Sequence, residues 1–369
     1  MIATLLISVA IVTAIAVFLA LLMVIADATI ANYGEVQISI NDGSRELTAK
    51  GGVSLLKALG EQEIFIPSAC GGRGSCGLCK VTIDKGGGQV LPTELPWLSK
   101  EEIENNVRLS CQCKLKQDME IKIPEELFSV KAFETKVSSI RDLTHDIKEV
   151  TLELVDPPEI QIEAGQYIQV EIPPYELTDE EVYRAYSISS PPHMNSLVEL
   201  EVRLVPNGIA TTFVHNYLKE GDTVMMNGPY GDFYLRESDR EIICIAGGSG
   251  MAPIKSILLD MEHKQINRKT SYYFGARTAK DLFMVEEMER LEKELKDFTF
   301  IPALSEPQED DNWEGETGLI TEVLDRHLGE DAGELEAYLC GSPGMIDACI
   351  KVLQKKGIPE DQIFYDKFA

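Results

Sequence analysis

The run CGGRGSCGLC, residues 70–79, sets Cys70, Cys76 and Cys79 in a C-x5-C-x2-C spacing, with Cys111 further along. Nothing else in the chain constrains its fold as tightly. Gly71, Gly72, Gly74 and Gly77 let the backbone wrap closely and aim N–H groups at sulfur. Four thiolates are what a [2Fe–2S] cluster takes. The plant-type spacing, C-x4-C-x2-C, is one residue shorter. Structural zinc also takes four thiolates and is the competing reading. Zinc sites usually come as two separated C-x2-C pairs, and three clustered cysteines with one apart favour the cluster. A disulfide framework is a third possibility, but a chain of 369 residues is too large to need one. Cys113 is spare, by default a small buried side chain.

Residues 2–26 are apolar except Thr4, Ser8 and Thr13. As a helix they rise about 37 Å, enough for a hydrocarbon core of about 30 Å. A signal peptide competes, because Ala26-Asp27-Ala28 resembles an A-x-A cleavage site. The segment lacks a basic n-region and exceeds a usual h-region, which favours a retained, single-pass anchor. Arg45, Lys50 and Lys57 follow it and no Lys or Arg precedes it, so the positive-inside rule places the bulk in the cytoplasm. The formal net charge of −27 disfavours nucleic acid, whose phosphates need a basic patch.

Downstream of the anchor, EVQISI at residues 35–40 alternates, Asn41-Asp42-Gly43 marks a turn, and residues 44–49 read as the hairpin partner. A short helix is expected at 54–59, strands at 80–83 and 120–123, and a helix at 99–105 with a capping box from Ser99 to Glu102. Strands are then expected at 135–139, 149–154, 167–172, 183–189, 198–204 and 223–227, with one helix at 210–218. Many short strands with Gly and Pro turns imply a barrel or sandwich. From residue 241, strands at 241–246, 270–274, 299–302 and 337–340 alternate with helices at 252–263, 285–295, 319–328 and 345–355. That is a βαβ pattern with a parallel sheet. The expected architecture is multidomain. It comprises a transmembrane helix (1–30), an α+β ferredoxin-like [2Fe–2S] domain of β-grasp type (31–128), an antiparallel β-barrel FAD domain (129–238) and an α/β parallel-sheet NAD domain (239–369).

Two further segments carry chemistry. Arg184-Ala185-Tyr186-Ser187 ends a barrel strand. An arginine pairs with phosphate, a tyrosine stacks on a ring, and a serine hydroxyl hydrogen-bonds a ring nitrogen. Gly208-Ile209-Ala210-Thr211-Thr212 opens a helix whose N–H groups suit a pyrophosphate, and Gly228–Phe233 closes the barrel. Together they favour a flavin over an ordinary amphipathic strand. In the second segment, Gly247-Gly248-Ser249-Gly250-Met251-Ala252-Pro253 follows a buried strand and opens a helix, where glycines admit a diphosphate. It is not a G-x-G-x-x-G fingerprint. Arg277 and the pair Cys340-Gly341 end later strands, the edge where doubly wound sheets bind ligands. The Cys-Gly turn is expected to expose Cys340 there. Glu306, Glu309, Asp310 and Asp311 would repel a 2′-phosphate, favouring NADH over NADPH.

Together with LPTEL (91–95), RLSCQ (108–112), FGAR (274–277), ALSEPQEDDNW (303–313) and CGSPGM (340–345), these residues resemble the ferredoxin–NADP reductase superfamily fused to a [2Fe–2S] ferredoxin domain. Within it, the look is that of the F subunits of Na+-translocating NADH:quinone oxidoreductases. The resemblance implies that Cys70, Cys76, Cys79 and Cys111 hold the cluster. It implies FAD at Arg184, Tyr186, Ser187, Gly208, Thr211 and Thr212. NADH would lie on Gly247, Gly248, Gly250, Met251, Ala252, Pro253, Arg277, Ser305, Cys340 and Gly341. Cys340 and Ser187 would be the catalytic pair, and Phe368 would stack on the flavin, against a competing reading in which it caps the core of the last strand. Two departures stand out. Family members carry a longer insertion where this chain has residues 173–182, and a Pro-rich loop where it has residues 205–208.

What the resemblance implies is an NADH dehydrogenase subunit in the bacterial inner membrane. It takes hydride to FAD, then passes single electrons to the cluster and on to membrane-embedded subunits of a Na+-translocating complex. The alternative is a reductase component serving an oxygenase, which usually has no anchor.

Overall fold

The computed structural model describes residues 2–30 and 33–368, and within the first stretch the side chains of Ile7 and residues 10–23. The chain divides into two compact units, Met1–Ser129 and Val130–Ala369.

The first unit opens with helix α1, Ile2–Ile30. Its described side chains are all exposed. Among the described residues no helix is long and apolar enough to cross a membrane. The unbroken described run, residues 10–23, rises about 21 Å against about 30 Å of hydrocarbon. The Ala26-Asp27-Ala28 site and the expected boundary at residues 30–31 fall outside the described side chains.

Strand β1, Glu35–Ile40, alternates as expected and buries Val36, Ile38 and Ile40. Asn41 and Asp42 take left-handed φ of 48° and 56° to turn the chain into β2, Arg45–Lys50. Helix α2, Leu55–Gly60, buries Leu55, Ala58 and Leu59, with the Ser54 hydroxyl accepting from the Lys57 N–H. Strand β3 (Lys80–Lys85), helix α3 (Lys100–Glu104), strand β4 (Val107–Leu109) and strand β5 (Met119–Lys122) complete the unit. Ser99 and Glu102 form the expected capping box. The sheet order is β2-β1-β5-β3-β4, with β1 and β5 parallel. Its core joins Ile38, Leu55, Leu109, Leu115 and Met119.

The second unit begins with six antiparallel strands: β6 (Lys131–Asp142), β7 (Ile147–Asp156), β8 (Tyr167–Ile172), β9 (Val182–Ser187), β10 (Leu197–Arg203) and, after helix α4 (Ile209–Asn216), β11 (Thr223–Tyr230). Their order is β10-β7-β6-β11-β8-β9, and a bridge from Ile188 to Leu200 draws the two edges together. Val150, Leu152, Ile168, Val170, Leu200, Val202 and Met226 fill the half-barrel.

A six-stranded parallel sheet follows. Its elements are β12 (Glu241–Gly247), α5 (Met251–Lys264), β13 (Thr270–Ala276), α6 (Val285–Glu294), β14 (Phe298–Leu304), β15 (Glu316–Thr317), α7 (Ile320–His327), β16 (Leu335–Gly341), α8 (Pro343–Lys355) and β17 (Ile363–Lys367). The order β15-β14-β13-β12-β16-β17 runs outward from β12 in one direction and then restarts at β16. Helices α5 and α6 cover one face and α7 and α8 the other. The switch point therefore lies between the C-terminal ends of β12 and β16, where such sheets bind ligands. Arg268 straps the barrel-to-sheet connection: it donates to the carbonyls of Arg236 and Arg240 and pairs with buried Glu336 at 2.7 Å.

Candidate functional site

Cys70 and Cys76 bring their Sγ atoms to 3.4 Å. Cys79 and Cys111 are a second pair of neighbouring cysteines that shift each other's thiols in opposite directions. Among the described residues no three His, Cys, Asp or Glu side chains converge on one ion. A single zinc needs four ligands on one centre, whereas two irons share four thiolates between them. Two neighbouring pairs of sulfurs match that two-iron arrangement. Gly71, Gly72, Gly74 and Gly77 all take positive φ, between 64° and 83°. Within each pair one S–H steadies the other sulfur as thiolate. Cys76 draws Cys70 down to about 4, and Cys79 draws Cys111 down to about 7. The donors, Cys76 and Cys79, are pushed up in turn. Cys113 is buried, and burial raises its thiol to about 12, as suits a spare packing residue.

The segment around this loop is fastened by a contact between distant charges. Arg108 donates to both oxygens of Glu94, at 2.9 and 2.7 Å, with both side chains buried. Glu94 also accepts from the N–H groups of Leu91 and Leu109. Burial would raise the Glu94 carboxyl, but Arg108 and these N–H groups outweigh it and hold it below the usual carboxylate range. The pair locks residues 91–98 beside the strand that leads to Cys111. Gln112 completes the surround: its amide donates to Cys111 Sγ at 3.5 Å and accepts from Thr93 at 3.0 Å.

In the barrel, Arg184, Tyr186 and Ser187 lie on β9, in register with Val170, Ile168 and Tyr167 of β8. Ser187 is buried and Tyr186 half-buried against the barrel core. Helix α4 starts at Gly208 without a side-chain cap, which leaves its first-turn N–H groups for a phosphate. Thr211 turns back instead: its hydroxyl accepts from the Val205 N–H at 3.1 Å and donates to the Val205 carbonyl. Thr212 donates its N–H to Gly208. Tyr230 and Phe233, from the barrel-closing segment, are buried. Tyr230 stacks on Tyr167, and Phe233 packs edge-on against Tyr338.

At the switch point, Gly247, Gly250, Cys340, Gly341 and Phe368 come together. A Cβ on Gly250 would sit 2.3 Å from the Cys340 carbonyl oxygen, so only glycine lets this turn close. Phe368 donates its N–H to the Gly341 carbonyl at 2.9 Å. Met251, Ala252 and Pro253 are buried in the first turn of α5, so their side chains pack and their backbone alone faces the turn. Cys340 corrects an expectation. It is fully buried rather than exposed, because its side chain belongs to the core that includes Ala246, Met251 and Tyr338, and burial pushes its thiol well up. Sequence reasoning missed Asp366, which pairs with Cys340 in the β16–β17 register and whose carboxyl burial raises to about 6. An acid two residues before the terminal aromatic was the available signal. Arg277 and Ser305 meet where β13 and β14 end, Ser305 donating its N–H to Ala276. The Arg277 guanidinium is held by Glu306 at 2.9 Å. Asp311 folds into its own loop, accepting from Gln308.

Three domain families match this arrangement: a 2Fe-2S iron-sulfur cluster binding domain over residues 38–116, an oxidoreductase FAD-binding domain over 134–234, and an oxidoreductase NAD-binding domain over 244–351. The F subunit of the Na(+)-translocating NADH-quinone reductase of Idiomarina loihiensis is 38% identical over 397 residues, covering 97% of each chain. Its counterpart in Neisseria meningitidis matches at the same identity and coverage. The chain belongs to this family of F subunits. It is thus a flavin- and iron–sulfur-dependent oxidoreductase with FAD, a [2Fe–2S] cluster and NADH as its cofactors and reductant. Among solved structures, the Amycolatopsis cytochrome P450 reductase GcoB shares the fold at a TM-score of 0.73, 27% identity, and coverage of 90% of this chain and 98% of its own. A ferredoxin reductase in carbazole 1,9a-dioxygenase does so at 0.70 and 29%, covering 91% and 98%. Membership in the family explains why RAYS, GGSGMAP and CGSPGM occur together.

Proposed function

We propose that this chain feeds electrons from NADH into a sodium-translocating, quinone-reducing membrane complex, with α1 as a retained single-pass anchor and the bulk on the cytoplasmic face of the inner membrane. The observation that carries the reading is end-to-end similarity to the F subunits, 97% of both chains, which includes the N-terminal apolar segment. In the domain division that goes with it, residues 1–30 anchor, 31–128 hold the cluster, 129–238 hold FAD and 239–369 hold NADH.

Bound FAD supplies the step from two-electron hydride chemistry to single electrons that a cluster can take. This chain's residues bind and orient. Arg184 and the open N-terminus of α4 meet the FAD phosphates, while Tyr186 and Ser187 address the ring. Thr211 shapes the loop before α4 with its hydroxyl. Gly247, Gly248 and Gly250 leave room for the NADH pyrophosphate. Arg277 and Ser305 meet its adenosine end, and Glu306, by neutralising Arg277, disfavours a 2′-phosphate there. Cys340, held neutral by burial, offers an uncharged contact to the nicotinamide. Phe368, packed against the core beside Gly341, would stack on the flavin ring when FAD is bound. Cys70, Cys76, Cys79 and Cys111 hold the cluster.

The test is NADH-driven quinone reduction in membranes lacking and then regaining this chain, together with N-terminal sequencing of the mature protein. Restored, sodium-stimulated turnover with residue 2 or Met1 at the N-terminus supports the reading. A mature chain starting near Thr29, or activity only with a soluble oxygenase, overturns it. The oxygenase-reductase reading has one observation in its favour, the shared fold of two oxygenase-linked reductases. The apolar helix α1 weighs against it.

A further inference from the structure

The rim of the cysteine loop departs from the rest of this acidic chain. Leu78 stands between Cys76 and Cys79 and is 44% exposed. Its neighbour Gly77 lies under Trp97: a Cβ there would come within 2.8 Å of the indole. Trp97 is itself exposed, as are Leu95 (53%) and Leu91. Trp97 thus reaches the cysteine loop beside Leu78. Leu91 and Leu95 are exposed on the same turn as Trp97, and Thr93 of that turn bonds Gln112 next to Cys111. Among the described residues of 70–79 and 91–99, the one exposed charge is Arg73, since Glu94 is buried against Arg108. In a chain of net charge −27, these two segments are a gap in the acidic sequence, bounded by exposed Glu101 and Glu104. The gap is built: the Glu94–Arg108 pair and its four further hydrogen bonds hold residues 91–98 in place with Leu98 buried and Leu91, Leu95 and Trp97 exposed.

We infer that Leu78, Leu91, Leu95 and Trp97 form the docking surface for the protein that accepts electrons from the cluster, and that this partner presents an apolar rather than a basic face. The inference rests on the proposed role as a subunit of a membrane complex. A basic partner would be drawn to the acidic surface elsewhere, whereas a rim without acidic groups matches an uncharged one. Large exposed apolar groups in one patch mark an interaction site, and the aromatic and leucine anchors are the kind that dominate binding. The chain's own flavin unit is covalently tethered, so its effective concentration is high without a dedicated adhesive surface. A separate acceptor must overcome the loss of translational freedom and needs such an area.

The experiment compares the full-length wild type with Leu95→Asp and Leu78→Gln in membranes that contain the remaining subunits. Two rates are read: cluster reduction by NADH within the chain, and NADH-driven quinone reduction. The expected result is a cluster-reduction rate within twofold of wild type, with quinone reduction lowered at least tenfold by Leu95→Asp and less by Leu78→Gln. Raising the partner-to-chain ratio should partly restore turnover, as a weakened affinity requires. Equal losses in both rates would overturn the inference and assign the patch to the flavin unit. Unchanged quinone reduction would overturn it outright. Wild-type membranes that reduce no quinone would instead remove the membrane-complex reading on which it rests.

Discussion

Two cysteine environments in this chain carry opposite electrostatics. In the first unit, four cysteines stand as two neighbouring pairs, Cys70 and Cys76 half-buried and Cys79 and Cys111 buried, and in each pair one thiol is drawn down by its neighbour. In the second, Cys340 lies alone at the end of a parallel strand, with no solvent exposure and a thiol driven well up by burial and by Asp366 nearby. One residue type thus serves two purposes. On the proposed assignment, pairing prepares sulfur to bind metal, and isolation keeps it neutral beside a site where charge would be costly. The contrast separates ligand from positioning residue more sharply than spacing does.

The largest effect expected is on the cluster. Cys70→Ala should abolish the EPR signal of reduced protein and lower bound iron, with FAD content unchanged. Cys340→Ala should leave iron and FAD at wild-type levels. Iron loss in Cys340→Ala would erase the distinction between the two environments.

Next is the fastening of the cysteine loop. Glu94→Ala leaves Arg108 buried without its partner, a loss of about 3–5 kcal/mol for pairs of this kind. Denaturant unfolding should show the first unit destabilised and the second unchanged. A shift shared by both units, or by neither, would contradict the local role of the pair. This contact was not legible in advance. Glu94 and Arg108 are fourteen residues apart, in segments that no local pattern pairs, and only the fold brings them together. The elements with strong local signals were legible: the alternation of EVQISI, the Ser99–Glu102 capping box, the glycine-rich cysteine loop. Strands β4 and β15 were not, because three and two residues cannot show a period. The burial of Cys340 was misread for a related reason. A Cys-Gly turn looks exposed locally, whereas the fold sets the Cys340 side chain in a core assembled from segments far apart in sequence.

A smaller effect concerns Asp366. Its carboxyl titrates near 6 in the folded chain against 3.8 ordinarily. As pH rises, the unfolded chain ionises first, so the residue's contribution to stability is lost between those values and stays lost above 6. Asp366→Asn should therefore raise the thermal midpoint above pH 6 and change it little below pH 3.8. A gain of equal size at both pH values would rule out titration as the cause. The smallest effect belongs to Glu306. Releasing Arg277 by Glu306→Gln removes an exposed, solvent-screened pair, so kcat/KM for NADPH should rise only about fivefold with NADH little affected. No gain with NADPH would sink the role given to the pair.

The order of events tests the account most directly. Mix anaerobic full-length protein with NADH, follow flavin absorbance by stopped flow, and follow the cluster by rapid-freeze EPR. The account predicts flavin bleaching before the cluster signal in wild type. Cys70→Ala should bleach at the wild-type rate with no cluster signal. Cys340→Ala should bleach about 10- to 100-fold more slowly, as misplacement of a reacting ring implies, yet reach the full cluster signal. A cluster signal that precedes flavin bleaching, or a Cys340→Ala chain that bleaches at the wild-type rate, would contradict it.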